Sequence, residues 1–283
     1  MPLQPDKCYI IGDIGSNHMG NQRDAVDMIA TLSTAGADAA KFQLFKLEDI
    51  AHDPSLEDPR TVLPVDWVDF LANVCNDHRI DFMCTPFAPW AVEVLNPYVE
   101  TWKIASFEAK RRDVWAAVLK TKKPIIASTG RGDTCFKPTH SLYCVSKYPT
   151  PPEDIYLGNE TTEEYARLDA FQYDGFSDHT TSTVIPALAV ARGAKIIEKH
   201  FRLDKTPSDS PDYPHSLTPS QFTEMVEHIR LAELTCWRQP PESQTLIDYA
   251  NRREVGADGS HKRDVGRPEG CHRSESLHRV IER

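Results

Sequence analysis

Two histidines carry the clearest chemistry in this sequence. His179 lies in the run Gly175-Phe-Ser-Asp-His-Thr180, and His200 in Ile196-Ile-Glu-Lys-His-Phe201. Each run reads as a short buried strand that ends in polar residues. The stretch between them, residues 182–193, has apolar residues at helical spacing and stops at a glycine. A strand, a helix and a strand of this length form a right-handed crossover that lays two parallel strands side by side. The two imidazoles then meet at one end of the sheet. Neutral imidazoles with oxygens nearby suit Mn, Fe, Co or Zn better than Mg or Ca. Chance placement of two of eleven histidines at strand ends is the alternative that spacing leaves open.

The elements that must position these groups follow from periodicity. Strands are predicted over residues 8–14, 38–45, 81–87, 101–106, 124–129, 141–148, 171–177 and 195–201. Helices are predicted over residues 23–35, 66–77, 89–95, 114–120, 182–193 and 219–234. No glycine-rich dinucleotide loop follows the first strand. Alternating β and α elements repeated eight times predict a (β/α)8 TIM barrel over residues 1–237, whose active site lies at the C-terminal ends of the strands. Asp13, Lys41, Gln43, Thr85, Lys103, Ser106, Ser128, Ser146, Ser177, His179 and His200 all fall near those ends. The apolar runs alone do not separate this barrel from a doubly wound open sheet. Only residues 130–140 lie between the fifth and sixth strands, too few for a crossover helix, so the fifth helix is expected to be reduced or missing. Residues 238–283 are polar and of mixed charge, and read as a C-terminal extension on the barrel, not a separate domain.

Composition narrows the function. The 283 residues, 40% of them apolar, can bury a sizeable core. A net charge of −10 with no basic stripe argues against a nucleic-acid partner, so an anionic substrate needs lysines placed inside the site. Seven cysteines with no C-x-x-C pair make neither a disulfide framework nor a zinc knuckle, which points to a reducing cytoplasm. Cys84 and Cys144 lie in apolar strand-like runs and are expected to be buried thiols. Neither an apolar signal region nor a membrane-spanning stretch is expected.

Eight motifs, in order, carry a resemblance. They are Gly-Asp-Ile-Gly-Ser-Asn-His-Met-Gly, Ala-Asp-Ala-Ala-Lys-Phe-Gln, Cys-Thr-Pro-Phe, Trp-Lys-Ile-Ala-Ser-Phe-Glu, Ile-Ala-Ser-Thr-Gly, Cys-Val-Ser-Lys-Tyr-Pro-Thr-Pro, Gly-Phe-Ser-Asp-His-Thr and Ile-Glu-Lys-His-Phe. Between about Tyr9 and Pro219 the chain resembles the N-acetylneuraminate (sialic acid) synthase family, whose members condense phosphoenolpyruvate with an acceptor sugar. The resemblance implies a (β/α)8 barrel and a divalent metal, manganese first, with magnesium or cobalt as alternatives. It makes His179 and His200 the metal ligands. Lys41, Thr85, Lys103, Ser106, Ser128, Ser146 and Ser177 would hold phosphoenolpyruvate. Asp13, Gln43, Glu108, Tyr148 and Asp212 would face the acceptor and the reacting centre, with Glu108, Asp212 and Asp13 as the catalytic carboxylates. Plainer roles stay open for three of these: a salt bridge to Lys110 or Arg111 for Glu108, a snorkelling strand lysine for Lys103, and a turn residue for Asp212.

The chain also departs from the family pattern. Asp13 stands where glutamate is usual, which shortens the reach by about 1.5 Å. The loop from Asp204 to Asp212 has serine where glycine is usual and reads one residue longer. Nothing after Trp237 resembles the C-terminal antifreeze-like domain of many members. A phosphorylated aldose is a rival acceptor, with Arg60, Arg111, Arg112 and Arg131 available to bind its phosphate. A degenerate barrel that binds sugar acids without catalysis is a second rival. A homodimer is expected, with the tail at its interface or over the barrel's open flank.

Overall fold

Eight short runs rich in buried residues become eight parallel strands. They are β1 (Tyr9–Asp13), β2 (Ala39–Leu44), β3 (Asp81–Pro86), β4 (Trp102–Ile104), β5 (Ile125–Ser128), β6 (His140–Tyr143), β7 (Gly175–Asp178) and β8 (Ile196–His200). The computed structural model describes residue 4 and residues 6–50, 58–130, 134–158 and 173–237. The strands pair in the order β3-β2-β1-β8-β7-β6-β5-β4, and the two ends, β3 and β4, lie against each other. The first strand pairs with the last from Tyr9↔Ile196 to Asp13↔His200, so the sheet curls into a nearly closed barrel and the open-sheet alternative falls.

Helices α1 (Gln22–Ala35), α2 (Trp67–Asp77), α3 (Pro89–Leu95), α4 (Arg112–Lys120), α5 (Ile185–Ala191) and α6 (Pro219–Cys236) accompany the strands. Local sequence sets their ends. The Asn21 side chain accepts from the N–H groups of Arg23 and Asp24 to start α1, and Gly36 stops it at φ 89°. Thr218 and Gln221 form a reciprocal capping box that starts α6.

Alternation along the strands separates two apolar sets. Ile10, Phe42, Phe82, Trp102, Ile104, Phe176 and Ile197 pack with the helices. Ile11, Ala39, Met83, Ile126, Leu142 and Ile196 form their own cluster inside the barrel. Fully burying a side chain such as Ile, Leu or Met contributes roughly 1.5–3 kcal/mol, so this inner layer helps to hold the barrel closed. Asp178 and Lys199, which occur in the two histidine motifs, are register partners and form a fully buried ion pair at 2.6 Å. Lys199 also donates to the Thr180 carbonyl, so these two motif residues are structural.

The sequence expectations meet three outcomes: one strand is shorter, the reduced fifth helix is found as expected, and some predicted segments lie outside the described residues. The sixth strand ends at Tyr143 instead of reaching residue 148, because its partner β7 offers register only to Leu142 and Tyr143. Among the described residues no helix joins β5 to β6. Instead Cys135 N–H bonds the Ala109 carbonyl at 3.0 Å and Phe136 packs on Trp115 of α4, so a loop covers that flank. The expected extension 238–283, Arg131, and the first residues of the seventh predicted strand lie outside the described residues. The described cysteines are all free, Cys84 and Cys144 being buried. No described helix is long and apolar enough to cross a membrane.

Candidate active site at the C-terminal mouth of the barrel

One step along the inward face from the apolar layer, the side chains turn polar. Asp13, Lys41, Lys103 and Glu198 are all buried there. Lys41 Nζ lies 2.8 Å from Asp13 Oδ2 and 3.8 Å from Glu198 Oε2, and donates to Thr85 Oγ1 at 3.4 Å. Lys103 Nζ lies 3.3 Å from Glu198 Oε1 and donates to Ser128 Oγ at 2.8 Å. Lys103 is therefore committed to the barrel interior, and the snorkelling alternative falls. Ser177, the register partner of Glu198, donates to its Oε1 at 2.7 Å. Burial alone would raise the Glu198 carboxyl, but Lys103 and Lys41 outweigh it and bring the pKa down to about 2. Burial likewise pulls Lys41 down, yet Asp13 and Glu198 hold it above its ordinary value.

A second cluster sits beside this one. His200, the register partner of Asp13, has Nε2 3.4 Å from Asp13 Oδ2 and Nδ1 3.9 Å from Asp212 Oδ1. Asp212 Oδ2 accepts from both the N–H and the hydroxyl of Ser16, each at 2.7 Å. Asp212 thus ties its loop to the β1 loop and to the imidazoles, which is more than a turn residue does. A Cβ at Gly15 would collide with that carboxylate and crowd Gln43 Nε2, and φ there is +53°, so the close approach needs glycine. The loop is pinned further: Ser210 donates to Asn17 Oδ1 at 2.7 Å, and Asn17 Nδ2 donates to Ser216 Oγ at 2.8 Å and to the Phe201 carbonyl at 2.9 Å. The serine that departs from the expected glycine is thereby used as an anchor.

His179 Nδ1 lies 2.8 Å from the Val145 carbonyl. A carbonyl only accepts, so Nδ1 carries the proton and Nε2 keeps its lone pair. The His179 and His200 ring centroids are 5.8 Å apart. Tyr148 lies over His179 at 4.2 Å, and Ser146 donates to Ser106 at 2.8 Å. Glu108 is buried in the turn Glu108–Lys110 that follows β4, at the same mouth. Burial first, then the neighbouring imidazoles, hold His179 well below the ordinary histidine pKa. Burial also lowers His200, against the pull of Asp13 and Asp212. Burial by itself would raise the Asp212 carboxyl, but His200 and His215 outweigh it and lower it.

The strands thus bring Asp13, Lys41, Thr85, Lys103, Ser128, Ser177 and His200 to one mouth, with Glu198 among them. Two members of the site were not expected. Glu198 bridges the two lysines, and its signal was the i, i+2 relation to His200 on β8. His215 sits in the turn Tyr213–His215 with its ring centroid 4.6 Å from His200, where periodicity gives no signal. Arg60 pairs with Asp58 and Asp209, and Arg111 with Asp113, so these two arginines are engaged with carboxylates.

The residues fit a divalent ion. Among the described residues His200 Nδ1 is buried with no hydrogen-bond partner, and ligand atoms of His200, Asp212 and His215 lie within 4.8 Å of one another. The neighbouring carboxylates Asp13, Glu198 and Asp212 outnumber Lys41 and Lys103 by one, even before Glu108 is counted. A dication would offset that excess and make the mouth receptive to an anion.

The profile of the NeuB family matches residues 28–135 and 137–238. The chain belongs to the NeuB family. Pseudaminic acid synthase of Campylobacter jejuni is 32% identical over 259 residues, 80% of this chain and 74% of that protein. N-acetylneuraminate-9-phosphate synthase of Homo sapiens is 32% identical over 255 residues, 80% of this chain and 70% of that protein. Among solved structures, N-acetylneuraminic acid synthetase from Leptospira borgpetersenii serovar Hardjo-bovis, in complex with citrate, aligns with a TM-score of 0.73 at 27% identity. That alignment covers 88% of this chain and 94% of the other. The resemblance carried by the eight motifs is thus a NeuB relationship, and the barrel is a NeuB barrel.

Proposed function

We propose that this NeuB chain condenses phosphoenolpyruvate with an aldose or N-acyl-amino sugar, giving a 2-keto-3-deoxy sugar acid and phosphate. It is a carbon–carbon bond-forming enzyme of the sialic-acid-synthase kind. The observation that carries the reading is the pair of buried lysines, Lys41 and Lys103, set beside buried imidazoles at one mouth of the barrel.

Phosphoenolpyruvate carries about three negative charges near neutral pH. Lys41 and Lys103, with the hydroxyls of Thr85, Ser106, Ser128, Ser146 and Ser177, bind its carboxylate and phosphate through charge-assisted hydrogen bonds. Glu198 lies beside both ammonium groups and keeps them aimed inward until the anion arrives. In the reaction the enol carbon C3 attacks the acceptor aldehyde carbon, water adds at C2, and phosphate leaves from the resulting tetrahedral carbon. Glu108 or Asp212 takes the proton from that water, and the acceptor oxygen, left as an alkoxide by the attack, gains a proton to become the product hydroxyl. Asp13, Gln43 and Tyr148 orient the acceptor, and the short Asp13 side chain, already on Lys41, favours a different acceptor contact from that of glutamate. His179 and His200 hold the divalent ion, manganese first with magnesium or cobalt as alternatives, which when bound supplies Lewis-acid polarisation of the acceptor aldehyde.

The free thiols support a cytoplasmic setting. We also read the working form as a homodimer, since a closed pair buries an apolar flank twice, and Leu188, Leu231 and Leu234 on α5 and α6 are exposed. Light scattering that returns a monomer rejects the dimer.

The function is tested by incubating the full chain with phosphoenolpyruvate, Mn2+ and a panel of aldoses while following phosphate release. Acceptor-dependent release that a chelator stops is expected. Release that needs no acceptor, or none with any aldose, rejects the synthase and favours the binding barrel.

A further inference from the structure

The loop after β8 adds an imidazole to the two that the strands supply. His215 is 2% exposed, and among the described residues its Nδ1 has no hydrogen-bond partner, while its Nε2 faces the Asp212 carboxylate. A buried polar group without a partner is costly, so such a group calls for a partner from outside the chain. Its Nε2 lies 3.4 Å from Asp212 Oδ1, and the same oxygen lies 3.9 Å from His200 Nδ1. Two ligands each about 2.1 Å from one ion, at the tetrahedral angle, stand about 3.4 Å apart. The spacing thus suits a shared ion, with the His200 contact slightly wide.

The surroundings match that purpose. Asp212 uses Oδ2 on the Ser16 N–H and hydroxyl, which leaves Oδ1 turned to the imidazoles. The neighbouring Tyr213 is held under the Arg202 guanidinium at 3.9 Å, and Asn17 clamps the loop on both sides of the turn through Ser210 and Ser216. The three rings form a triangle with centroid separations of 4.6, 5.8 and 6.4 Å, and Tyr148 lies over His179 and His215 at 4.2 and 5.1 Å.

We infer that His215 and Asp212 join His200 and His179 around one divalent ion, making a site of three imidazoles and a carboxylate. This rests on the metal-dependent reading above and deepens it: with both Asp212 oxygens engaged, Glu108 is the carboxylate left to take the proton from water. Such a donor set favours Zn2+ or Co2+ over Mg2+ more strongly than two imidazoles would.

The test uses the full chain, stripped with a chelator and titrated with Co2+ or Zn2+ alone. Binding is read by calorimetry and by the visible absorption of bound Co2+. The expected result is tight binding by the wild type, with His215→Ala weakened roughly tenfold or more and its Co2+ spectrum altered. A His215→Ala protein that binds Co2+ with wild-type affinity and spectrum, while His200→Ala does not bind, overturns the His215 assignment and leaves the two-histidine site standing. A wild type that binds no divalent ion overturns both. Should His215→Ala fail to fold, long-range 1H–15N spectra of histidine-labelled wild type decide. The His215 ring nitrogens are expected to shift on Zn2+ addition together with those of His179 and His200, and unmoved His215 signals reject the inference.

Discussion

The barrel interior holds two neighbouring layers built on the same strand faces. In the lower one Ile11, Ala39, Met83, Ile126, Leu142 and Ile196 fill the space with carbon. In the upper one Asp13, Lys41, Glu198 and Lys103 occupy comparable depth as charges. The carbon layer gains from burial whichever neighbour each side chain touches. The charged layer gains only while every partner is present, because desolvating an unpaired ion costs more than its attraction returns. The difference teaches where tolerance lies: the lower layer tolerates substitution of similar shape, and the upper layer does not tolerate loss of a partner.

The largest break in this comparison is Glu198→Ala. It leaves Lys41 with Asp13 and strips Lys103 of its carboxylate, so a loss of about 3–5 kcal/mol is expected in chelator-containing denaturant melts. The same group sets an acid limb. Its pKa is depressed from 4.5 to about 2 in the folded chain, so its contribution is present above the ordinary value and is lost as pH falls through that window. Glu198→Gln is expected to flatten that part of the stability profile, and an unchanged acid limb would place the sensitivity elsewhere.

Lys103→Ala sharpens the comparison from the functional side. Loss of one charge-assisted bond, about 1.5–3 kcal/mol, is expected to raise KM for phosphoenolpyruvate roughly ten- to hundredfold and to leave the acceptor KM near its starting value. Equal effects on both substrates count against the assigned role. The smallest effect belongs to the carbon layer. Ile126→Val is expected to cost about 0.5–1.5 kcal/mol with both KM values unchanged, and a shifted KM would mean that the layers are coupled.

The sequence made the strand-borne half of the site legible, because period-two alternation fixes which face each strand residue presents. Lys41, Lys103, Ser128, Ser177 and His200 all sit where their strand positions placed them. Glu198 was within reach of the same rule, being two residues before His200, but Glu-Lys side by side looks like a solvated pair until the barrel closes around it. His215 had no such rule. Its position depends on a turn held by Asn17, nearly two hundred residues away in sequence, through bonds to Ser210 and Ser216. The shortened sixth strand was missed for a related reason, since the apolar run to residue 148 carries no sign that β7 pairs with only two of its residues.

The position of the unladdered seam bears on how the molecule assembles. It falls between consecutive strands, β3 and β4, while the strands farthest apart in sequence, β1 and β8, share a five-residue register. During synthesis β1 to β3 can form a three-stranded sheet long before β8 leaves the ribosome, and β4 to β8 can form another once β8 has emerged. Asp13, Lys41 and Thr85 ride on the first sheet, and Lys103, Ser177, Glu198 and His200 belong to the second. Docking of β8 against β1 is a high-contact-order step, and such steps are slow. Until it occurs, the Asp13–Lys41 pair and the Lys103–Glu198 pair sit on separate sheets and no catalytic centre exists, so the nascent chain gains its activity in one late event.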